Sequence, residues 1–197
     1  LFLEDFDGGD DAFPGEWNTG AGWQLLFDQQ ALSGSVNPSI DGEAEKTSAE
    51  LLHVLGSMQN RLVTPAEFSL NVKCKRITRR DGHQVFVTIK TQRSLELPEI
   101  IQQFHTLEIS QELPSKPKQA IHLVDQINPA DHLWSNGENF SSNPNPSDDL
   151  KTGMAVVVGD LLVEGDTVSF NAYSHNTIRG AAGGLVYLAE FLLQENS

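Results

Sequence analysis

The sequence predicts an α+β domain: a mixed, mostly antiparallel sheet with helices on one face. Three observations carry this. Apolar residues alternate at Phe68, Leu70, Val72 and Cys74, and again at Val85, Val87 and Ile89, the period of strands with one buried face. Short turn signals, Asp81-Gly82 and Glu164-Gly165, join strand-like runs as antiparallel neighbours require. Helical patterns stand apart from the strand runs, at Gly42–Gly56, from Pro98 and behind Gly183-Gly184. About five to seven strands follow from the runs, and the face away from the helices is open to a two-fold partner.

Residues 1–21 are acidic and glycine-rich and hold no sustained period, so they read as a lead segment, with the domain spanning 22–197. Asp5, Asp7, Asp11 and Glu16 mimic a calcium-loop count, but Asp10 stands where the turn glycine belongs and Gly9 offers no side-chain oxygen. A solvated acidic lead is the reading, and no metal is expected. Trp23–Gln30 follows as a strand that ends in a loop presenting Gln30. Gly42–Gly56 is a helix with acids in its first turn and an apolar stripe of Leu51, Leu52 and Leu55. Lys46 in its early turns is either half of a surface Glu–Lys pair or an anion-holding lysine.

Glu67–Thr78 and His83–Thr91 read as a hairpin about Asp81-Gly82. Arg76 and His83 share the parity of its buried face near the tip. Charge there must be paired or open into a cleft. The pair is therefore a satisfied structural arrangement or an anionic-substrate site with His83 as general acid–base. Pro98 starts a helix carrying Ile100, Ile101 and Phe104, and 120–126 is a further strand. Asn128–Thr152 is an Asn-, Ser-, Pro- and Asp-rich excursion, mobile or pinned by a partner. Met154–Val163 and Asp166–Tyr173 form the last hairpin. A turn at Ser174-His175-Asn176 then leads through Gly180-Ala181-Ala182-Gly183-Gly184 into a helix that is apolar nearly all round, which predicts burial on more than one side.

The net charge of −14 argues against nucleic acid. It is concentrated early, since ten acids precede Lys46, the first Lys or Arg. No apolar run approaches the roughly 20 residues of a membrane span, and no basic-then-apolar leader opens the chain. Cys74 is the single cysteine, which fits a reducing, cytoplasmic compartment, and its mid-strand position reads as inert packing.

Several segments, in order, resemble the catalytic and dimerisation half of the aspartate-β-semialdehyde dehydrogenases. Gln30-Ala31-Leu32-Ser33-Gly34 resembles a Q-A-x-S-G segment. Glu43-Ala44-Glu45-Lys46 resembles an E-E-x-K helix start. Arg76 to His83 resembles the R-x-P-x-x-x-G-H hairpin, and Gly153-Met154 with Val158-Gly159 resembles a G-M-x-V-x-V-G strand. His175-Asn176-Thr177-Ile178-Arg179-Gly180-Ala181-Ala182-Gly183-Gly184 is close to the H-N-T-x-R-G-A-A-G-G of the archaeal and fungal branch.

The resemblance implies NADPH-dependent reduction of β-aspartyl phosphate to the semialdehyde, a step of lysine, threonine and methionine biosynthesis, through a cysteine thioacyl intermediate. It implies that Gln30 orients the acyl group, Arg76 binds the substrate carboxylate and His83 is the acid–base. It places Lys46, with Glu43 or Glu45, at the phosphate end, and Asn176 and Gly180 against the NADP nicotinamide. A homodimer is implied. The nucleotide domain's glycine-rich loop is not found in these residues. Leu3 stands where the nucleophilic cysteine is expected, Asp160 replaces an arginine, and the proline between Arg76 and His83 is missing. The chain is therefore expected to be inactive alone, with an exposed apolar strip, or a partner, where the nucleotide domain would cover the last helix. Two alternatives stand beside this: a non-catalytic dimerisation or ligand-binding module of the same descent, and a related acyl-phosphate or acyl-thioester reductase half.

Overall fold

A computed structural model describes residues 2–7, 42–76, 81–107, 112–141 and 144–195, with the side chains of 2–7, Lys73, Lys75 and Arg76 outside the description. Gln30 and the expected strand around it lie outside the described residues. Among the described residues the strands are β1 (Phe2–Asp7), β2 (Ser57–Gln59), β3 (Leu62–Thr64), β4 (Asn71–Arg76), β5 (Gly82–Lys90), β6 (Ile121–Leu123), β7 (Val156–Glu164) and β8 (Thr167–His175). The helices are α1 (Glu43–Val54), α2 (Leu97–Thr106), α3 (Pro129–His132) and α4 (Ala182–Glu195).

Six strands form one sheet in the order β4-β1-β5-β8-β7-β6. Pairs β1–β5, β5–β8 and β7–β8 are antiparallel, and β1–β4 and β6–β7 are parallel. The mixed, mostly antiparallel α+β architecture is thus as the strand runs imply. Two features differ. The acidic lead contributes β1, and β1 lies between β4 and β5, so these two are not a hairpin. Arg76 and His83 instead sit on either side of Asp7 in one register row.

Helices α1 and α2 cover one face. Thr47 Oγ1 of α1 meets the buried Cys74 Sγ at 3.7 Å. Phe104 of α2 meets Phe170 edge-on with centroids 5.3 Å apart. Register puts Cys74 and Phe170 on that same face, which is why the alternating positions of β4, β5 and β8 are apolar.

The excursion from Asn128 covers the opposite face at β7 and β8. Trp134 packs on His175 with centroids 4.4 Å apart, and the Tyr173 hydroxyl reaches the Pro129 carbonyl at 3.4 Å. The excursion is therefore pinned by its own sheet and needs no partner for order. Its Asn and Asp side chains, which make the sequence read as loop, accept nearby backbone N–H groups: Asn136 from Glu138 and Asn139, Asn145 from Ser147, Asp149 from Lys151. With both faces covered there, adjacent residues Val157 and Val158 of β7 are both buried, as are Val168 and Tyr173 of β8.

The small β2–β3 hairpin turns through Asn60 and Arg61 at φ 52° and 64°. An Asn-Arg pair is a weak turn signal compared with Asn-Gly, so this hairpin is hard to read from sequence. The last helix, α4, does not have the burial that its composition predicts. Leu185, Val186, Leu188, Leu192 and Leu193 stand exposed, Leu185 at 68%, as an apolar strip on its outer face.

Candidate functional site

Strands β5 and β8 bring two candidate residues together. Gly82 pairs with His175 and His83 with Ser174, so His83 lies beside the turn that follows β8. There His83 Nδ1 is 3.2 Å from Asn176 Oδ1. An amide oxygen only accepts, so the imidazole donates from Nδ1, and in its neutral form it carries a basic Nε2. A histidine held this way can take and return a proton at Nε2.

The turn carrying Asn176 is tightly built. Asn176 N donates to the Asp81 carbonyl at 2.9 Å, tying the turn to the start of β5. Arg179 N and Gly180 N donate to the His175 carbonyl at 3.0 and 3.3 Å. A Cβ on Gly180 would lie 2.6 Å from the Asn176 carbonyl oxygen, and one on Gly183 would lie 2.3 Å from that of Ile178. The small-residue run at the entry to α4 is therefore required by backbone packing, whatever ligand lies against it.

The other candidates are placed as follows. Arg76 ends β4, in the same register row as Asp7 and His83. Lys46 is 73% exposed and pairs with Glu50 at 3.7 Å, an (i, i+4) contact of small energetic weight. Glu43 is half-buried, with Oε2 shielded from solvent, and Glu45 is exposed. Cys74 is buried in the core against Thr47, as its mid-strand position suggests. An opening of about 690 Å³ lies elsewhere, near Lys116, Lys118 and Glu138. Its lysines are paired with Glu112 and Glu138, and it contains none of the candidates.

Among the described residues no cluster of His, Cys, Asp and Glu could hold a metal ion. Nor, among the described residues, is any helix long and apolar enough to cross a membrane.

One residue at this turn was not singled out by its sequence pattern. His175 is buried, and its Nδ1 accepts N–H groups of the turn. Its pKa is lowered by burial, which nearby Asp81 partly opposes. His122 is also lowered by burial, with His132 adding repulsion, and His132 is lowered by burial against the pull of Asp131. Phe140 is sandwiched between the last two rings, at 4.5 and 4.4 Å.

These shifts have one sign. The unfolded chain takes up protons from about pH 6.5 downward, before the folded one does. Their stability contribution is therefore complete above that value and is lost as pH falls through the depressed folded values. The urea midpoint is expected to fall between about pH 7 and about pH 5.5, before the carboxylates titrate. A flat midpoint across that window would contradict the burial of these three rings.

No family model matches the chain. The aspartate-semialdehyde dehydrogenase of Methanothermobacter thermautotrophicus is 29% identical over 180 residues, which cover 88% of this chain and 48% of that protein. The chain is a homologue of the aspartate-semialdehyde dehydrogenases. The crystal structure of the Candida albicans aspartate-semialdehyde dehydrogenase with NADP shares the fold, with a TM-score of 0.65 and 22% identity over 99% of this chain and 51% of that one. Malonyl CoA reductase (NADP) of Metallosphaera sedula is 28% identical over 190 residues, covering 87% of this chain and 50% of that protein. The chain thus spans about half the length of the curated relatives it matches.

Proposed function

We propose that the chain is the substrate-binding and dimerisation half of an NADP-dependent aspartate-semialdehyde dehydrogenase, inactive without a nucleotide domain and a reactive thiol. The observation that carries this reading is the His83–Asn176 contact, which joins the acid–base and nicotinamide-side candidates at one turn. His83 shuttles the proton at Nε2. Arg76, whose guanidinium suits bidentate recognition, holds the substrate carboxylate, and Lys46 with Glu43 or Glu45 serves the phosphate end. Gln30 orients the acyl group. Asn176 would hold the nicotinamide end of NADP, because a carboxamide side chain matches the donor and acceptor of the nicotinamide amide. When bound, the dinucleotide supplies the hydride. The homodimer uses the sheet face opposite α1 and α2 where the excursion does not cover it, away from β7 and β8. The exposed strip on α4 supports the inactive-alone reading, since it has the character of a face made for cover.

The test is calorimetric titration with aspartate-β-semialdehyde plus phosphate, beside Arg76→Ala. The heat is expected to vanish in the variant, since loss of a charge-assisted pair costs about 1.5–3 kcal/mol, tenfold or more in affinity. If neither protein binds, the chain is a dimerisation module and Arg76 and His83 are inherited structure.

A second reading is favoured by the malonyl-CoA reductase, as similar to this chain as the semialdehyde dehydrogenases are. In that case the substrate is a carboxylate-bearing acyl thioester. Titration with malonyl-CoA in place of the semialdehyde and phosphate separates the two.

A further inference from the structure

His175 ends β8 at 4% exposure with the Trp134 ring against it. Its Nδ1 is 3.2 Å from Thr177 N and 3.2 Å from Ile178 N. Backbone N–H groups only donate, so Nδ1 accepts and the ring proton is on Nε2. The carbonyl of the same residue accepts from Arg179 N and Gly180 N. One residue thereby satisfies four consecutive N–H groups of the turn. Its ring occupies the place that Asp, Asn or Ser takes when a short side chain caps the N–H groups two and three residues on.

Asn176 is the one turn residue whose own N–H goes elsewhere, to the Asp81 carbonyl. Its side chain meets His83. The two imidazoles are therefore in opposite tautomers: His175 protonated on Nε2, His83 on Nδ1.

We propose that His175 is a positioning residue: its imidazole caps the 176–180 turn, sets Asn176 against His83, and so fixes the tautomer in which His83 presents a basic Nε2. The catalytic meaning rests on the proton-shuttle role proposed for His83, whereas the capping and the tautomer do not. Without the acceptor at His175, the Thr177 and Ile178 N–H groups have to turn to other partners and the turn moves. Asn176 moves with it.

The test reads tautomers directly, by imidazole 15N shifts of the chain with labelled histidine, with His83 assigned by its loss in His83→Gln. In the unaltered chain His175 is expected to show the Nε2–H pattern and His83 the Nδ1–H pattern. A His175 protonated on Nδ1 overturns the proposal with no variant needed. His175→Leu keeps apolar bulk but no acceptor, and should shift His83 toward the Nε2–H pattern. His175→Asn supplies a capping oxygen and should restore the Nδ1–H pattern. His83 unchanged in His175→Leu, or unrestored in His175→Asn, overturns it as well. None of these readings involves substrate, so a failed titration with the semialdehyde and phosphate would leave them intact.

Discussion

Replacing Tyr173 with alanine is expected to remove roughly 3–5 kcal/mol of stability, the range for truncating a fully buried aromatic. Tyr173 is 1% exposed and lies on the sheet face closed by the excursion, opposite Val157 in the β7–β8 register. The ring has no room to shift, since Gly82 backs it so closely that a Cβ there would stand 2.1 Å from the Tyr173 hydroxyl oxygen. Gly82→Ala should therefore approach Tyr173→Ala in severity by overpacking the space that the truncation empties. Tyr173→Phe gives up the hydroxyl's bond to the Pro129 carbonyl and should lose about 1 kcal/mol. Urea denaturation of the three variants checks the order. A Tyr173→Ala loss below about 1 kcal/mol would mean that the excursion does not close this face.

The second large effect concerns surface behaviour. Leu185, Leu188 and Leu192 recur along the outer face of α4, each at least half exposed. Burying one leucine fully is worth about 1.5–3 kcal/mol, so three together are enough to drive self-association or partner capture. The chain is expected to bind a dye specific for exposed apolar surface. Leu185→Gln, Leu188→Gln and Leu192→Gln together should abolish the excess fluorescence, with stability changed by less than about 1 kcal/mol. Equal dye binding before and after would show that the strip is not what the solvent meets. A fusion to the nucleotide domain of a relative should quench the signal by covering the same leucines, if the proposed function holds.

Local chemistry made much of this molecule legible. The acids and leucines of 43–54, the proline at 98 and the alternation of β4, β5 and β8 each carry their own element. The meeting of His83 with Asn176 was foreshadowed by two motifs, and antiparallel β5–β8 pairing brings them into contact. What stayed hidden depended on distant parts of the chain. Phe2–Asp7 does not alternate, three of its six residues are acidic, and nothing local shows that it goes between β4 and β5. His175 escaped notice for a different reason. Capping positions are usually read from Ser, Thr, Asp and Asn, and an imidazole in that place carries no familiar signal. A histidine immediately before Asn176-Thr177, at the end of an alternating strand, was the available cue.

The insertion of β1 has a kinetic consequence. Neighbouring strands that pair directly can zip from their turn, but β4 and β5 cannot do so in the native order, because β1, distant in sequence from both, lies between them. The local β7–β8 hairpin has no such dependence and is expected to form early. Until β1 arrives, β4 and β5 expose open edges to each other, and their direct pairing is the quickest collapse open to them. That wrong ladder must dissolve before the native one can close. Refolding should therefore show a slow phase that shortens when a peptide spanning Phe2–Asp7 is added, the excluded strand supplied from outside.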